Sequence, residues 1–472
     1  MTLTDTTFEE HLDATRDERL ESYKAFLRIP SISALPEHRD DCRATATWLA
    51  AALERAGAEH VALADTTGNP VVYADWLHAG PGAPTVLVYG HYDVQPVDPL
   101  DLWTSPPFEP VVIGDRMLAR GSADDKGQIH LHVTALAGLL ATRGGLPVNV
   151  RYLFEGNEED DSRHLRAWLM ENRERVTADV AVISDTSFFA GNLPAITVGL
   201  RGNAYVQIDV EGSPVDLHSG TYGGAVQNPA NALVQMLAAL KGPDGRIRIP
   251  GFYDDVVGLT DLEREAFAAL PFDDEAWRTH SGLGSLVGEV GFTTLERIGA
   301  RPTLDVNGIW GGFQGEGAKT IIPAHAHAKV SCRLVSDQDP ERVVELIRDY
   351  VAEVTPPGVT VTVRDLHGGR PFAMAIDHPA INAAARALAA TFGREPLFAR
   401  EGGSIPVAAD FSTILGLPVV LLGFTPPDDN AHAPNESMDL TNYELGIRCV
   451  ARLWDELAGT EGPDGTSVKG TR

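Results

Sequence analysis

Cysteine is scarce in this sequence, since Cys42, Cys332 and Cys449 are its only cysteines. Their wide spacing matches neither a disulfide framework nor a zinc ribbon. The first residues are polar and acidic, and they lack the basic and apolar segments of a secretory signal. Because reduced thiols are typical of the cytosol, we expect a cytoplasmic protein.

Long hydrophobic runs and positive charge are also lacking. The longest apolar segments, such as Val133–Leu140, are too short to span a membrane as a helix. The chain carries 38 Lys and Arg against 66 Asp and Glu, which gives a formal net charge of −28. This charge argues against nucleic acid or an anionic membrane as the main partner. It suits a protein that attracts metal cations, although a solvated acidic surface explains it as well.

Apolar strands and helical patterns alternate along much of the chain, which has 472 residues and is long enough for two domains. This alternation predicts an α/β fold with a mainly parallel sheet and helices on both faces. The predicted strands of the N-terminal part are Val71–Asp75, Thr85–Tyr89, Val148–Phe154 and Val180–Ser184. The predicted helices between them include Asp40–Arg55 and Lys126–Ala141.

The pattern changes near Gly202, where apolar and polar residues alternate as in a half-exposed antiparallel strand. A second alternating strand is predicted at His325–Leu334, and a helix follows at Pro340–Val354. The α/β pattern resumes with a helix at Pro379–Phe392. We therefore expect one α/β domain in two parts, interrupted by a smaller α+β domain.

Potential metal ligands directly follow the predicted strand at Val86–Val88. His91 and Asp93 come after Gly90, where this strand ends, and open α/β sheets bind ligands at the carboxyl ends of their strands. Side chains alternate along an extended chain, so His91 and Asp93 point to the same side. His91 could then bind a metal while Asp93 orients its ring. A capped loop with a surface histidine is the alternative.

Histidine and acidic residues occupy five comparable positions: His91, Asp124, Glu159, Asp185 and His432. Each has an ordinary explanation, such as a helix cap for Asp124, a solvated turn for Glu159 and an Asx turn for Asp185. Together they supply two imidazoles and three carboxylates, which suits two metal ions, with zinc expected and cobalt or manganese as substitutes. One aspartate would bridge the ions, and Glu158 is free to act as a general base.

Six motifs surround these positions. They are GHYDVQP at Gly90–Pro96, RGSADDKG at Arg120–Gly127, EGNEE at Glu155–Glu159, ISD at Ile183–Asp185, DLHSG at Asp216–Gly220 and AHAPNE at Ala431–Glu436. In this order they resemble the carnosinase-like dipeptidases, which belong to the dinuclear zinc peptidases together with glutamate carboxypeptidase and aminoacylase. The resemblance runs from about Leu20 to Leu457. It implies a zinc-peptidase-like catalytic domain, residues 1–201 and 379–472, and a lid and dimerisation domain, residues 202–378.

The resemblance also implies how the ligands are shared between two metals. Asp124 would bridge the metals. His91 and Asp185 would hold one metal, and Glu159 and His432 the other.

Three further residues take catalytic roles by the same resemblance. Asp93 would orient His91, and Glu158 would be the general acid/base. His218 lies in the interrupting domain. In similar enzymes this histidine reaches the active site of the neighbouring subunit and stabilises the oxyanion, which implies a homodimer through that domain.

Substrate binding is implied for residues of the interrupting domain and of the chain after it. Arg333 resembles the arginine that binds a substrate carboxylate, for which a bidentate guanidinium is well suited. Thr320, His367 and Ser404 match further substrate-contacting positions.

We therefore expect a metallopeptidase of the dipeptidase or carboxypeptidase type. It would hydrolyse dipeptides or short peptides with a free C-terminal carboxylate, by a metal-bridging water with Glu158 as general acid/base. An amidohydrolase or deacylase acting on N-acyl amino acids at the same site is the alternative. A non-catalytic binding protein is disfavoured, because all the expected ligands and Glu158 are present.

Overall fold

The computed structural model describes residues 7–160, 162–403 and 405–459. Within them, the α-helices are α1 (Phe8–Ala14), α2 (Arg16–Leu27), α3 (Arg39–Ala56), α4 (Lys126–Arg143), α5 (Arg163–Glu171), α6 (Ser219–Tyr222), α7 (Pro229–Leu240), α8 (Asp261–Ala269), α9 (Asp274–His280), α10 (Thr294–Gly299), α11 (Pro340–Val354), α12 (Pro379–Phe392), α13 (Pro406–Ile414) and α14 (Leu440–Ala458). The strands are β1 (Glu59–Ala64), β2 (Val71–Trp76), β3 (Thr85–His91), β4 (Val111–Ile113), β5 (Arg116–Leu118), β6 (Asn149–Glu155), β7 (Val180–Ile183), β8 (Ala195–Leu200), β9 (Gly202–Glu211), β10 (Leu217–His218), β11 (Thr303–Gly311), β12 (Ile321–Ile322), β13 (His325–Leu334), β14 (Thr360–Gly369), β15 (Phe372–Ala373), β16 (Leu397–Glu401), β17 (Val419–Leu421) and β18 (Ser437–Asp439).

The chain divides into two compact units. Unit 1 comprises Met1–Val198, Met374–Ala399 and Asp410–Arg472, and unit 2 comprises Gly199–Ala373 and Arg400–Ala409. The domain boundaries expected from the sequence, at 201/202 and 378/379, lie close to two of these divisions. The sequence prediction assigned residues 400–409 to the catalytic domain, whereas the structure assigns Arg400–Ala409 to unit 2.

Unit 1 contains a large sheet whose strands run in the order β1-β2-β6-β3-β7-β17-β8. Its centre is parallel, since β3 pairs in parallel with β6 and β7, and β7 pairs in parallel with β17. The pairs β1–β2, β2–β6 and β17–β8 are antiparallel. The predicted α/β fold with a mainly parallel central sheet is confirmed, and the strands outside its parallel centre run antiparallel.

The parallel strands are apolar throughout, as is typical of strands that are covered on both faces. Every residue of β7 is buried, and Val86, Leu87 and Val88 of β3 are fully buried. Helix α3 packs against β1 and β2, and α4 packs against β3 and α14. Burial of one such aliphatic side chain contributes roughly 1.5–3 kcal/mol, so this core fixes the ends of the strands in space.

Helix α4 holds the loop that carries Asp124. It begins at Lys126, directly after the cis peptide between Asp124 and Asp125. It ends at Gly144, whose φ of 70° is a conformation that favours glycine. Although α4 is largely buried, no helix in the described part of the chain is long and apolar enough to cross a membrane.

Unit 2 contains a four-stranded antiparallel sheet in the order β11-β13-β9-β14. Along β13 every second residue from Ala326 to Leu334 is buried, as the alternating sequence pattern predicts. The buried face of the sheet packs against α7 and α11. The core between them includes Ala204, Val206, Ile208, Met236, Val330 and Ile347.

Candidate metal centre

Three of the predicted ligands follow neighbouring parallel strands. His91 is the last residue of β3, Glu159 follows β6, and Asp185 follows β7. Because β6, β3 and β7 are adjacent and parallel, their carboxyl ends meet at one edge of the sheet. Asp124 precedes α4, and His432 lies in the loop before β18.

The first group of side chains consists of His91, Asp124 and Asp185, whose ligand atoms all lie within 4.8 Å of one another. His91 Nε2 is 2.9 Å from Asp124 Oδ1 and 3.7 Å from Asp185 Oδ1. The His91 side chain is 1% exposed. This group therefore presents one imidazole and two carboxylates around a common point.

The second group consists of Asp124, Glu159 and His432, with the same 4.8 Å limit between ligand atoms. His432 Nε2 is 2.9 Å from Asp124 Oδ2 and 3.2 Å from Glu159 Oε2. Asp124 thus belongs to both groups and directs a different oxygen to each histidine. The structure brings together all five side chains that the sequence analysis singled out.

The donors in these groups fit divalent metal ions. Imidazole nitrogen and carboxylate oxygen are ligands that zinc, cobalt and manganese accept. His91 Nε2 is buried and, although it is 2.9 Å from Asp124 Oδ1, it forms no hydrogen bond of good geometry among the described residues. A buried nitrogen without a hydrogen bond is costly in a purely protein environment, and a metal ion would satisfy it.

The electrostatics of the metal-free site also fit cations. Burial would raise the pKa of Asp124, but the imidazoles of His432 and His91 outweigh burial and lower this pKa. Contacts with Asp124 and Glu159 raise the pKa of His432 to about 10. Burial would lower the pKa of His91, but Asp185 and Asp124 raise it well above its ordinary value. The carboxylates are therefore balanced by protonated imidazoles, whose protons a metal would displace.

Asp93 holds the turn that follows β6. It is fully buried, and its two carboxylate oxygens accept hydrogen bonds from the backbone amides of Glu158 at 3.2 Å and Glu159 at 3.1 Å. His91 Nδ1 is 3.1 Å from the backbone oxygen of Asp93 and 3.5 Å from its Oδ1. Asp93 therefore contacts the His91 ring mainly through its backbone, while its carboxylate fixes the turn that carries Glu158 and Glu159.

Glu158 lies next to the ligands but belongs to neither group. Burial raises the pKa of Glu158 well above its ordinary value; His91 opposes this shift, and the nearby Asp185, Glu159 and Asp124 add to it. Because these charged groups shift its pKa, the Glu158 carboxyl group lies close to them. It is available for proton transfer.

Gln95 and Asp125 contact the ligands and were not predicted. Gln95 Nε2 donates a hydrogen bond to Glu159 Oε2 at 2.8 Å, and Asp125 Oδ2 accepts one from the His91 backbone amide at 3.1 Å. Both lie inside the motifs that carry the resemblance. The motifs therefore indicated that these two residues lie near the site. Motif membership does not reveal which ligand each residue contacts.

His218, which the resemblance implies to stabilise the oxyanion, ends β10 in unit 2, and Thr320, implied to contact substrate, directly precedes β12, which pairs with β10. His218 is exposed, and its Nδ1 accepts a hydrogen bond from the Gly220 amide at 3.0 Å. The Thr320 carbonyl accepts hydrogen bonds from the amide and hydroxyl of Ser219, at 3.1 and 3.0 Å. The structure thus brings His218 and Thr320 close together in unit 2.

Arg333 and His367 lie on the two strands that flank β9. Arg333 pairs with Asn203, and His367 pairs with Tyr205. Because Asn203 and Tyr205 are two residues apart on one strand, all four side chains lie on the sheet face opposite α7 and α11. Ser404 lies outside the described residues.

Comparisons with known proteins relate this chain to a peptidase family. The sequence matches the family described as Peptidase family M20/M25/M40 over residues 87–456. It is 34% identical over 464 residues to the Cys-Gly metallodipeptidase dug1 of Schizosaccharomyces pombe, with 95% of this chain and 97% of the relative covered. It is 32% identical over 467 residues to the Beta-Ala-His dipeptidase of Homo sapiens, with 95% and 92% covered.

A solved structure of a peptidase is also similar to this chain. The M20 family metallo-carboxypeptidase Sso-CP2 from Sulfolobus solfataricus superposes with a TM-score of 0.79 at 32% identity, covering 93% of this chain and 98% of that chain. The resemblance to the carnosinase-like dipeptidases drawn from the motifs is confirmed at the level of the family. The chain belongs to peptidase family M20/M25/M40 and is a metallopeptidase.

Proposed function

We propose that this protein hydrolyses dipeptides or short peptides with a free C-terminal carboxylate, in a site that binds two divalent metal ions. The observation that carries the proposal is the pair of ligand groups that share Asp124. Similarity to a Cys-Gly metallodipeptidase and a Beta-Ala-His dipeptidase supports a dipeptide substrate. Zinc as the metal, with manganese or cobalt as substitutes, and a cytoplasmic location belong to the same proposal.

The ligands divide between two cations in this proposal. His91, Asp124 and Asp185 would hold one cation, and Asp124, Glu159 and His432 the other. When bound, such a pair supplies Lewis-acid chemistry, because it activates water at neutral pH and polarises the scissile carbonyl.

Glu158 is the proton-transfer group. Its backbone amide is fixed by Asp93 Oδ1 at 3.2 Å, so its carboxylate is presented from a held turn. As the water oxygen bonds to the carbonyl carbon, the carboxylate accepts a proton from that water. It then gives the proton to the amine nitrogen as the carbon–nitrogen bond breaks, which releases a carboxylate and an amine.

A substrate comparison tests the proposal. The metal-reconstituted protein is assayed with a dipeptide, with the same dipeptide amidated at its C-terminus, and with an N-acetyl amino acid. We expect the free dipeptide to be hydrolysed with the highest kcat/KM. Preference for the N-acetyl amino acid would assign an amidohydrolase instead, and no hydrolysis with both metals bound would contradict the proposed enzyme.

Arg333 is the proposed partner of the substrate carboxylate. Arg333→Ala is expected to raise KM for the free dipeptide by about 10- to 150-fold with little change in kcat, since hydrogen bonds to charged groups contribute about 1.5–3 kcal/mol. Arg333→Lys keeps the charge but loses the planar pair of donors, so we expect an intermediate KM. Steady-state kinetics with the free and amidated dipeptides measures this, and an Arg333→Ala enzyme with the wild-type KM would exclude the role.

Metal binding is expected to release protons. The pKa of His432 is raised to about 10 and that of His91 well above its ordinary value, so both imidazoles are protonated at pH 7 without metal. A metal ligand must be neutral imidazole; the affinity for zinc should therefore rise as pH increases from 6 to 8. Calorimetric titration in buffers of different ionisation enthalpy counts the protons, and binding without proton release would contradict this prediction.

We also propose that unit 2 is the lid and dimerisation domain, with His218 donating a hydrogen bond to the oxyanion in the site of a second subunit. The exposed position of His218 supports a role outside its own unit. Sedimentation velocity of the purified protein tests for the homodimer.

A further inference from the structure

Glu436 is a buried carboxylate whose four hydrogen bonds all reach one short segment. It is 0% exposed. Its Oε2 accepts hydrogen bonds from Arg120 Nη1 at 2.8 Å and from the Gly121 amide at 2.9 Å. Its Oε1 accepts from the amides of Ala123 at 2.8 Å and Asp124 at 3.0 Å. Both oxygens therefore hold the backbone that ends in the residue shared by the two ligand groups.

Arg120 extends the same arrangement towards the strand that carries His91. Its side chain is 1% exposed. Its Nη2 donates to the backbone oxygen of Pro96 at 3.1 Å, and its guanidinium lies 5.3 Å from the centre of the Trp103 ring. The buried pair of Arg120 and Glu436 thus connects the segment after β3 with the segment before α4.

Glu436 also belongs to the loop that carries His432. Its own backbone oxygen accepts a hydrogen bond from the Ala119 amide at 3.1 Å. The loop between the two residues is closed by a hydrogen bond from the Ser437 amide to the Asp429 oxygen at 2.7 Å. One residue therefore joins the backbone of Asp124 to the loop that carries His432.

We propose that Glu436 is a positioning residue that fixes the shared Asp124 relative to His432 of the second group by clamping the Asp124 backbone to the His432 loop. A buried ion pair often adds little to stability compared with apolar packing of the same volume. The hydrogen-bond geometry explains the presence of Glu436 better than stability does. A carboxylate is the side chain that accepts two hydrogen bonds at each of two oxygens. This inference rests on the proposed metal-dependent function.

Glu436→Gln tests the inference, since it keeps the shape but turns one acceptor oxygen into an NH₂ group that faces two donors. The matched control is Asp428→Asn, which makes the same chemical change in an exposed pair of the same loop, where Arg116 Nη2 is 2.9 Å from the carboxylate of Asp428. Glu436→Gln leaves the buried charge of Arg120 without its partner carboxylate, which could prevent folding. In that case the double variant Arg120→Met with Glu436→Gln is used in its place, because it contains neither buried charge.

We expect Glu436→Gln to bind Zn²⁺ about 10- to 100-fold more weakly, as is usual when a residue that orients metal ligands is replaced. Competition with a chromophoric chelator measures this affinity. At saturating zinc, kcat for the dipeptide should fall while KM stays within about twofold. In the metal-free protein, amide hydrogen exchange in residues 119–125 should be faster than in the wild type. Asp428→Asn should match the wild type in all three measurements.

A lower melting temperature with wild-type zinc affinity and wild-type exchange in residues 119–125 would overturn the inference and leave Glu436 a purely structural residue. The exchange measurement needs neither metal nor substrate. It therefore decides about Glu436 even if the wild-type protein binds no zinc and hydrolyses no dipeptide, which would instead contradict the proposed function.

Discussion

Glu158→Gln is expected to lower kcat for dipeptide hydrolysis by about 10²- to 10⁴-fold, the usual contribution of a general acid/base. Glutamine has nearly the same shape, and the amide of residue 158 would still donate to Asp93 Oδ1. The variant therefore loses one negative charge and the ability to accept and return a proton. Because Glu158 belongs to neither ligand group, the KM and the metal content should stay close to those of the wild type.

Asp160→Asn is the matched control for this substitution. Asp160 lies in the same turn and is exposed, so the control removes one negative charge close to the site without touching the proposed proton path. It should retain nearly full activity. Metal analysis and melting temperature are measured for both variants. Full hydrolysis by a metal-loaded Glu158→Gln enzyme would refute the proposed role of Glu158.

The places of three of the five candidate ligands could be predicted from the sequence, because local patterns determine where their strands end. The apolar run that forms β3 ends at a histidine, and the runs that form β6 and β7 lead into Glu159 and Asp185. Because these strands are adjacent and parallel, their carboxyl ends lie at the same edge of the sheet, independently of the loops that connect them. Helix boundaries with clear local signals were also close, since the helix predicted at Asp40–Arg55 is Arg39–Ala56 in the structure and ends at Gly57.

Elements that depend on distant partners were missed. The small sheet of β18, β5 and β4 pairs Met438 with Met117, and strands this short carry no periodic signal of their own. Strand β1 is only half-buried at the edge of its sheet. Helices α1 and α2 are separated at Thr15, whose hydroxyl donates to the His11 carbonyl at 2.8 Å.

No helix or strand was predicted from the sequence in the polar stretch from Gly242 to Gly312. It contains three helices, α8, α9 and α10. Part of it is held by Arg301, which forms hydrogen bonds to both carboxylate oxygens of Glu289 at 2.8 and 2.9 Å and lies 4.3 Å from the Phe292 ring centre. Such charged contacts stabilise a segment without leaving an apolar periodicity, so composition alone predicts a loop.

Asp124→Asn is expected to abolish measurable dipeptide hydrolysis and to weaken metal binding in both groups. Asp124 Oδ1 faces His91 and Oδ2 faces His432, whereas asparagine offers a single neutral oxygen. Loss of both Lewis acids removes several kcal/mol of transition-state stabilisation, or roughly 10³- to 10⁵-fold in rate. Metal content after gel filtration and zinc titration with a competing chelator measure the binding, and steady-state kinetics measures the rate.

Two single-group variants make this prediction specific. Asp185→Asn removes a carboxylate from the first group, and Glu159→Gln removes one from the second, so each should weaken mainly one of two zinc-binding steps. Asp124→Asn alone should weaken both steps, because only Asp124 belongs to both groups. If Asp124→Asn weakened one step and left the other at wild-type affinity, the two cations would not share this carboxylate, and the paired geometry would not be the basis of catalysis.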